Sequence, residues 1–128
     1  MTSHRQTFAR ALVAACVLFA TPISIDTVQA AGALAVGQCG AYGVAYDYEQ
    51  VEAATAAALG QCTGNCQLAT AMHGNCAALS IDVRNTCGAY GYAAAPRLGQ
   101  AQNTALRYCY KNGGRDCVIR AWVCDAKG

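Results

Sequence analysis

The sequence has little charge. Charged residues make up 12% of its 128 residues, and the formal net charge is +2. A mature chain beginning at Ala31, for the reason given below, would lose Arg5, Arg10 and Asp26 and carry a net charge of +1. Such a balance gives no electrostatic basis for binding nucleic acid or an anionic membrane. We therefore expect neither as a partner.

Residues suited to catalysis are also few. His73 is the only histidine after residue 30, and Ser80 is the only serine there, outside any nucleophile elbow. A Cys–His nucleophile would need a free thiol, which an even number of cysteines disfavours. The sequence has no phosphate loop and no dinucleotide fingerprint, and its carboxylates show no spacing that argues for a paired-carboxylate hydrolase. We expect no enzymatic activity, no catalytic residue, no cofactor and no metal.

The first 30 residues have the layout of a secretory signal peptide. Residues 1–10 are polar and basic, residues 11–25 are mostly apolar, and Val28-Gln29-Ala30 predicts cleavage after Ala30. The apolar run is shorter than the ~20 residues that a membrane-spanning helix needs. A membrane anchor and a lipoprotein attached through Cys16 are the alternatives. The predicted location is the periplasm or the cell exterior, without stable membrane insertion after cleavage.

The remainder of the chain contains one pattern twice. The pentapeptide Cys-Gly-Ala-Tyr-Gly occupies residues 39–43 and again 87–91, and each copy follows a short apolar run that predicts a β-hairpin. Each copy precedes an Ala-rich segment whose apolar stripe has the spacing i, i+3, i+7, i+8, i+11, typical of an amphipathic helix. The two stripes are Val51, Ala54, Ala58, Leu59 and Cys62, and then Leu98, Ala101, Ala105, Leu106 and Cys109.

A turn follows each predicted helix and leads to a strand that opens with a cysteine, Cys66 or Cys117. The predicted fold class is therefore α+β. Two pseudo-symmetric strand–strand–helix–strand repeats form one small disulfide-rich domain, with about six strands in an antiparallel or mixed sheet and the helices on one face. The single duplicated domain spans residues 31–128, with repeats at about 32–75 and 76–124.

Alternation along the strands that follow Cys39 and Cys87 separates small residues from tyrosines. The small face, centred on Gly43 and Gly91, is expected to lie close against the helices, and Val at either glycine should cost about 1–3 kcal/mol. The opposite face is interpreted either as ordinary cross-strand packing of tyrosine or as an exposed patch that binds a glycan, a peptide or a protein. The residues of that candidate ligand-binding patch are Tyr42, Tyr46, Tyr90, Tyr92 and Trp122.

Eight cysteines remain after residue 30, and an even count in a short exported domain predicts disulfides. The preferred pairs are Cys62–Cys66 and Cys109–Cys117 within repeats, and Cys39–Cys87 and Cys76–Cys124 between them. A crossed set, Cys62–Cys117 with Cys66–Cys109, preserves the symmetry equally well. A zinc site at Cys62 and Cys66 is the rival interpretation, which an oxidising compartment disfavours.

With the repeat in view, the chain resembles the exported bacterial family called domain of unknown function 4189. Besides the two pentapeptides, the resemblance covers nearly the whole mature chain and is carried by residues 32–35 (Gly-Ala-Leu-Ala), 58–62 (Ala-Leu-Gly-Gln-Cys), 75–79 (Asn-Cys-Ala-Ala-Leu), 113–117 (Gly-Gly-Arg-Asp-Cys) and 121–124 (Ala-Trp-Val-Cys). It implies export and a duplicated domain, and it supplies no activity.

These observations favour an exported, disulfide-stapled binding module that is not an enzyme. Its expected partner is a protein or a cell-envelope glycan, contacted through the tyrosine face. A secreted effector or inhibitor that acts on another organism's protein is the main alternative. An envelope hydrolase that uses Asp or Glu is the third hypothesis.

Overall fold

The computed structural model describes residues 20–23 and 30–125. The predicted signal peptide, residues 1–30, therefore lies mostly outside the described residues. Within the described ranges, no helix has the length and apolar character needed to cross a membrane.

The elements follow one another in the predicted strand–strand–helix–strand order, twice. The first unit consists of β1, β2, α1 and β3, and the second of β4, β5, α2 and β6. Their bounds are β1 Ala31–Val36, β2 Tyr42–Tyr48, α1 Val51–Gln61, β3 Gln67–His73, β4 Cys76–Asp82, β5 Tyr90–Ala95, α2 Leu98–Lys111 and β6 Cys117–Cys124. The predicted α+β class with two such repeats is confirmed.

Each unit forms its own three-stranded antiparallel sheet, with its first strand in the centre. The strand orders are β2-β1-β3 and β5-β4-β6. The sequence suggested about six strands in a sheet, and the structure divides the six between two sheets. The reason is that β1 and β4 both have their two edges occupied by strands of their own unit.

The two sheets pack face to face, and each helix covers the outer face of its own sheet. The core between the sheets contains the larger apolar side chains, including Leu34 and Met72 from the first unit and Leu79 and Ile81 from the second. The helix–sheet layers contain mainly alanine. Because alanine side chains are short, each helix can lie close to its sheet.

Two glycines show how close the helices lie. A Cβ atom added to Gly43 would meet the carbonyl oxygen of Ala58 in α1. One added to Gly91 would meet backbone atoms of α2, among them the nitrogen of Cys109 at 2.5 Å. The predicted packing of small strand residues against both helices is therefore confirmed.

The structure contains the preferred disulfide set, with Cys62 bonded to Cys66, Cys109 to Cys117, Cys39 to Cys87 and Cys76 to Cys124. The prediction that Cys76–Cys124 joins the two repeats is wrong. Cys76 is the first residue of β4, in register with Cys124 at the end of β6, so this bridge lies within the second unit. Among the described disulfides, only Cys39–Cys87 connects the units.

Candidate functional site

The predicted tyrosine patch lies on two edge strands. Tyr42 and Tyr46 belong to β2, and Tyr90 and Tyr92 belong to β5. Alternation gives Tyr42 the same side of its sheet as Val44, which packs into the core between the sheets. The tyrosines therefore point toward the opposing sheet, but at its margins, where all four remain exposed.

The structure does not bring the five predicted aromatic residues together. Strand β2 contacts β6, whereas β5 contacts β3, so the two tyrosine pairs lie at two different junctions between the units. Trp122 is in register with Ala78, whose side chain packs in the layer beneath α2. The indole therefore lies on the helix side of its sheet, away from the tyrosines.

A cavity of about 550 Å³ lies at the junction that contains β3 and β5. Both units contribute to its walls, and the Cys39–Cys87 disulfide is part of its lining. The residues that line it, besides these two cysteines, are Val36, Gly37, Gln38, Gly40, Asn65 and Gln67 from the first unit and Leu79, Ile81, Thr86, Gly88 and Tyr90 from the second.

The lining of this cavity is polar without being charged. Its polar side chains are the amides of Gln38, Asn65 and Gln67, the hydroxyl of Thr86 and the phenol of Tyr90. The remaining side chains of the lining are apolar or belong to the disulfide. No carboxylate, lysine, arginine or histidine side chain is part of this lining.

At the junction of β2 with β6, Arg120 crosses from one unit to the other. Its Nε donates a hydrogen bond to the carbonyl oxygen of Gly40 at 3.2 Å, and its guanidinium carbon lies 5.3 Å from the centre of the Tyr42 ring. Such a cation–π contact is favourable at this distance. Arg120 therefore fastens β6 to the first pentapeptide.

The residue equivalent to Arg120 in the first unit is Ala69. Each stands three residues after the cysteine that opens its strand, Cys117 or Cys66. Each also falls at the shift in register between its strand and the central strand. The equivalents of Gly40 and Tyr42 are Gly88 and Tyr90; both line the cavity, as Gly40 itself does, whereas Tyr42 and Ala69 do not. Arg120 therefore spans the junction at Tyr42, and the cavity lies at the junction of Tyr90.

The structure places Ser80 in the interior and His73 at the surface. Ser80 is 0% exposed, and its hydroxyl has no hydrogen-bond partner in the part of the chain that the structure describes. It is in register with Gly91, against which α2 packs, so substrate has no access to it. His73 is exposed at the end of β3. Within residues 20–23 and 30–125, no cluster of three His, Cys, Asp or Glu residues is placed to hold a metal.

Asp82 is a buried carboxylate with a structural task. It accepts backbone hydrogen bonds from Arg115 at 3.0 Å, Arg84 at 2.9 Å and Asp116 at 3.3 Å. The bond from Arg115, followed by that from Arg84, lowers the pKa of Asp82 below its ordinary value of 3.8. The carboxylate thereby holds the segment after α2 against the end of β4.

Sequence reasoning identified Tyr90 and the Cys39–Cys87 disulfide but missed the other residues of the lining. Gln38 and Thr86 lie in the connections between the first two strands of each unit, and Gln67 opens β3. The sequence does contain one informative difference. Aligning the repeats on Cys66 and Cys117 places Ala69 at the position of Arg120, so only one of the two junctions has a long cationic side chain at this position.

Comparison with known proteins gives one match. A family model described as Domain of unknown function (DUF4189) matches residues 31–124, nearly three quarters of the chain. Searches of curated proteins and of solved structures find no match.

Proposed function

The chain belongs to the DUF4189 family, and from that premise we propose that it is an exported, non-catalytic module that binds its ligand in the cavity between the two units. The family description states no activity, so the support for this proposal comes from geometry. A cavity of about 550 Å³ is within the roughly 300–1,000 Å³ typical of small-molecule sites.

The difference between the two junctions carries the proposal. Both junctions are built from the same pentapeptide, the same central strand and the same cysteine-opened strand. Arg120 shows that this scaffold can fill such a space with one long side chain. The equivalent position holds Ala69, whose short side chain packs against the core between the sheets and spans no junction.

The chemistry of the described residues supports binding without catalysis. The eight cysteines after residue 30 form disulfides and therefore offer no thiolate. The cavity lining contains neither histidine nor carboxylate for general acid–base work. Disulfides persist in oxidising compartments, which together with the signal-peptide pattern supports export to the periplasm or the cell exterior.

The test is to close the cavity. In Ala69→Arg, symmetry directs the new guanidinium toward Gly88 and Tyr90, as Arg120 lies against Gly40 and Tyr42. The matched control is Ala71→Arg, because Ala71 is exposed and in register with Ala33, whose side chain faces α1. Thr86→Trp closes the cavity from its exposed rim without altering the core.

Nitrogen-15 NMR titration of the exported protein measures the outcome with three probes: N-acetylglucosamine, acetyl-dialanine amide and citrate. At least one probe should shift cavity-lining resonances in the wild type and in Ala71→Arg. Ala69→Arg and Thr86→Trp, each first shown to retain four disulfides, should abolish those shifts. Unchanged titration of both closed variants, or the absence of any shift in the wild type, would contradict the proposal.

A further inference from the structure

We infer that the cavity ligand is an uncharged oligosaccharide, with one sugar ring against Tyr90 and its hydroxyl or acetamido groups on the amide side chains of the lining. This inference rests on the proposed function, because it names the ligand of the same cavity. Three features support it: the amide side chains of the lining, the two parallel tyrosine rings beside the cavity and a hydrogen bond that occupies the neighbouring strand edge.

The lining has the hydrogen-bonding character that suits a neutral polyol. The amides of Gln38, Asn65 and Gln67 each provide both donors and acceptors. A sugar hydroxyl also donates and accepts, so each amide can bind it in either sense. A charged ligand would lose hydration on entering without meeting an opposite charge in this lining, which is unfavourable.

The apolar part of the lining suits the carbon atoms of the same ligand. Val36, Leu79 and Ile81 contribute the aliphatic surface of the cavity, and the methyl group of an acetamido substituent can pack there. Burying a methyl group in this way is favourable. The combination of neutral amides with aliphatic surface therefore favours an N-acetylated sugar over a simple polyol.

Tyrosine rings extend from the cavity as a surface for further sugar units. The rings of Tyr90 and Tyr92 are nearly parallel, with centroids 6.5 Å apart and an interplanar angle of 18°. They are 49% and 40% exposed. A groove of about 310 Å³ adjoins the cavity at Tyr90 and is also lined by Tyr92, Tyr108 and Asn112. Rigid rings with polar tips suit successive sugar units, which present an apolar ring face and polar edges.

The first unit lacks this arrangement. Its Tyr42 ring is in contact with Arg120, and the residue equivalent to Tyr92 is Val44. Of the two pentapeptide strands, only β5 therefore carries the tyrosine row, and its Tyr90 also lines the cavity.

The edge of β5 argues against an extended peptide as the ligand. A peptide that binds an edge strand does so by main-chain hydrogen bonds. Beside the cavity, the carbonyl oxygen of Tyr90 already accepts a hydrogen bond of 2.8 Å from Nδ2 of Asn112. The strand edge nearest the cavity is thus partly occupied, whereas the tyrosine faces stay accessible.

Isothermal titration calorimetry on the exported protein tests the inference with four probes. They are the trimer of N-acetylglucosamine, cellotriose, the anionic trigalacturonate and a neutral acetylated heptapeptide amide. The expected order places the N-acetylglucosamine trimer first and cellotriose second, with trigalacturonate at least about tenfold weaker than cellotriose. Tyr90→Ala should weaken the trimer about tenfold, whereas the matched variant Tyr42→Ala should leave its affinity unchanged.

The outcomes of these titrations distinguish failure of the oligosaccharide hypothesis from failure of the cavity as the binding site. Binding of the peptide alone, or of trigalacturonate in preference to both neutral sugars, would overturn the oligosaccharide and leave the cavity as the site. Binding of none of the four probes would also overturn the oligosaccharide. Sugar binding that survives both Ala69→Arg and Thr86→Trp would overturn the cavity itself, since the sugar would then be held elsewhere.

Discussion

The two units have the same strand order, but the second is fastened more firmly than the first. The disulfide Cys76–Cys124 joins the ends of β4 and β6, whereas the equivalent register pair in the first unit is Ala31 and His73. The Asp82 carboxylate closes the second unit at the other end of β4, where the first unit has Gly37.

The same contrast applies to the two junctions between the units. One is closed by Arg120 and the other is open next to the single disulfide that connects the units. The comparison teaches that duplication supplies two equivalent junctions, one spanned by Arg120 and the other beside a cavity, and we propose that the cavity holds a ligand. A few residues, rather than a change of fold, separate the two roles.

The largest expected effect comes from removing either long disulfide. Both span 48 residues, so the loop-closure argument gives each a stabilisation of about 4 kcal/mol. Cys39→Ala/Cys87→Ala and Cys76→Ala/Cys124→Ala should therefore lose similar amounts of free energy of unfolding in urea denaturation. Only the first double variant should also weaken ligand binding, because only its disulfide lines the cavity.

The pair of double variants thus acts as its own control. Equal loss of binding in both double variants would show that binding depends only on overall stability. That result would contradict a specific role in binding for the junction beside Cys39–Cys87.

A loss of about 3 kcal/mol is expected for alanine at the two close-packed glycines, because backbone of the helix occupies the position of the new methyl group. Gly43→Ala and Gly91→Ala should be similarly destabilised in thermal and urea unfolding. The control is Gly60→Ala in α1, where nothing lies within 4 Å of the added atom. It should stabilise the protein by roughly 0.5–1 kcal/mol. A stable Gly43→Ala protein would contradict the helix placement.

Exchanging the residues at one buried position that is equivalent in the two units has a smaller expected effect on the free energy of unfolding. Ser80 and Ala35 are equivalent and both are 0% exposed, but the Ser80 hydroxyl has no partner among the described residues. Ser80→Ala should raise the free energy of unfolding by about 1 kcal/mol, and Ala35→Ser should lower it by about 1–3 kcal/mol. Urea denaturation measures both. A loss of stability in Ser80→Ala would instead indicate a partner for the hydroxyl.

The smallest expected effect is a pH-dependent difference in stability between the wild type and an Asp82 variant. The lowered pKa of Asp82 in the folded protein means that its ionised form stabilises the fold at pH above the ordinary value of 3.8. This stabilisation is lost as the pH falls below 3.8 through the folded-state pKa. Asp82→Asn should therefore be less stable than the wild type at neutral pH, and the difference should shrink on acidification. Asp47→Asn, at an exposed carboxylate, is the control. A constant difference down to pH 2 would contradict this role.

The sequence predicted the repeated unit because periodicity and cysteine spacing are local. The helix stripes ending at Cys62 and Cys109 and the small faces at Gly43 and Gly91 needed only the chain itself. Alternation says which side chains share a face, but it does not say what covers that face. For that reason the sequence leaves two interpretations of the tyrosine face, cross-strand packing or an exposed patch, whereas the structure shows Val44 on the same face packing into the core between the sheets.

The place of the Cys76–Cys124 disulfide and the cavity between the units depend on long-range contacts, which the sequence does not show. The sequence predicted that Cys76–Cys124 joins the two repeats, although the pairing of β4 with β6 places both cysteines in the second unit. Arg120 reaches the first pentapeptide across the interface between the sheets, whereas Ala69 at the equivalent position packs against the core between the sheets. The length of a side chain is visible in the sequence, but the surface that it reaches across a sheet interface is not.

The most direct measurement is a heteronuclear NMR titration of the exported protein with the trimer of N-acetylglucosamine. Resonances of the open junction, at Gln67, Thr86 and Tyr90, should shift to saturation, while those of Tyr42 and Arg120 at the closed junction should stay in place. Shifts at Tyr42 and Arg120 of the same size, or shifts confined to them, would contradict the claim that the two equivalent junctions have separate roles.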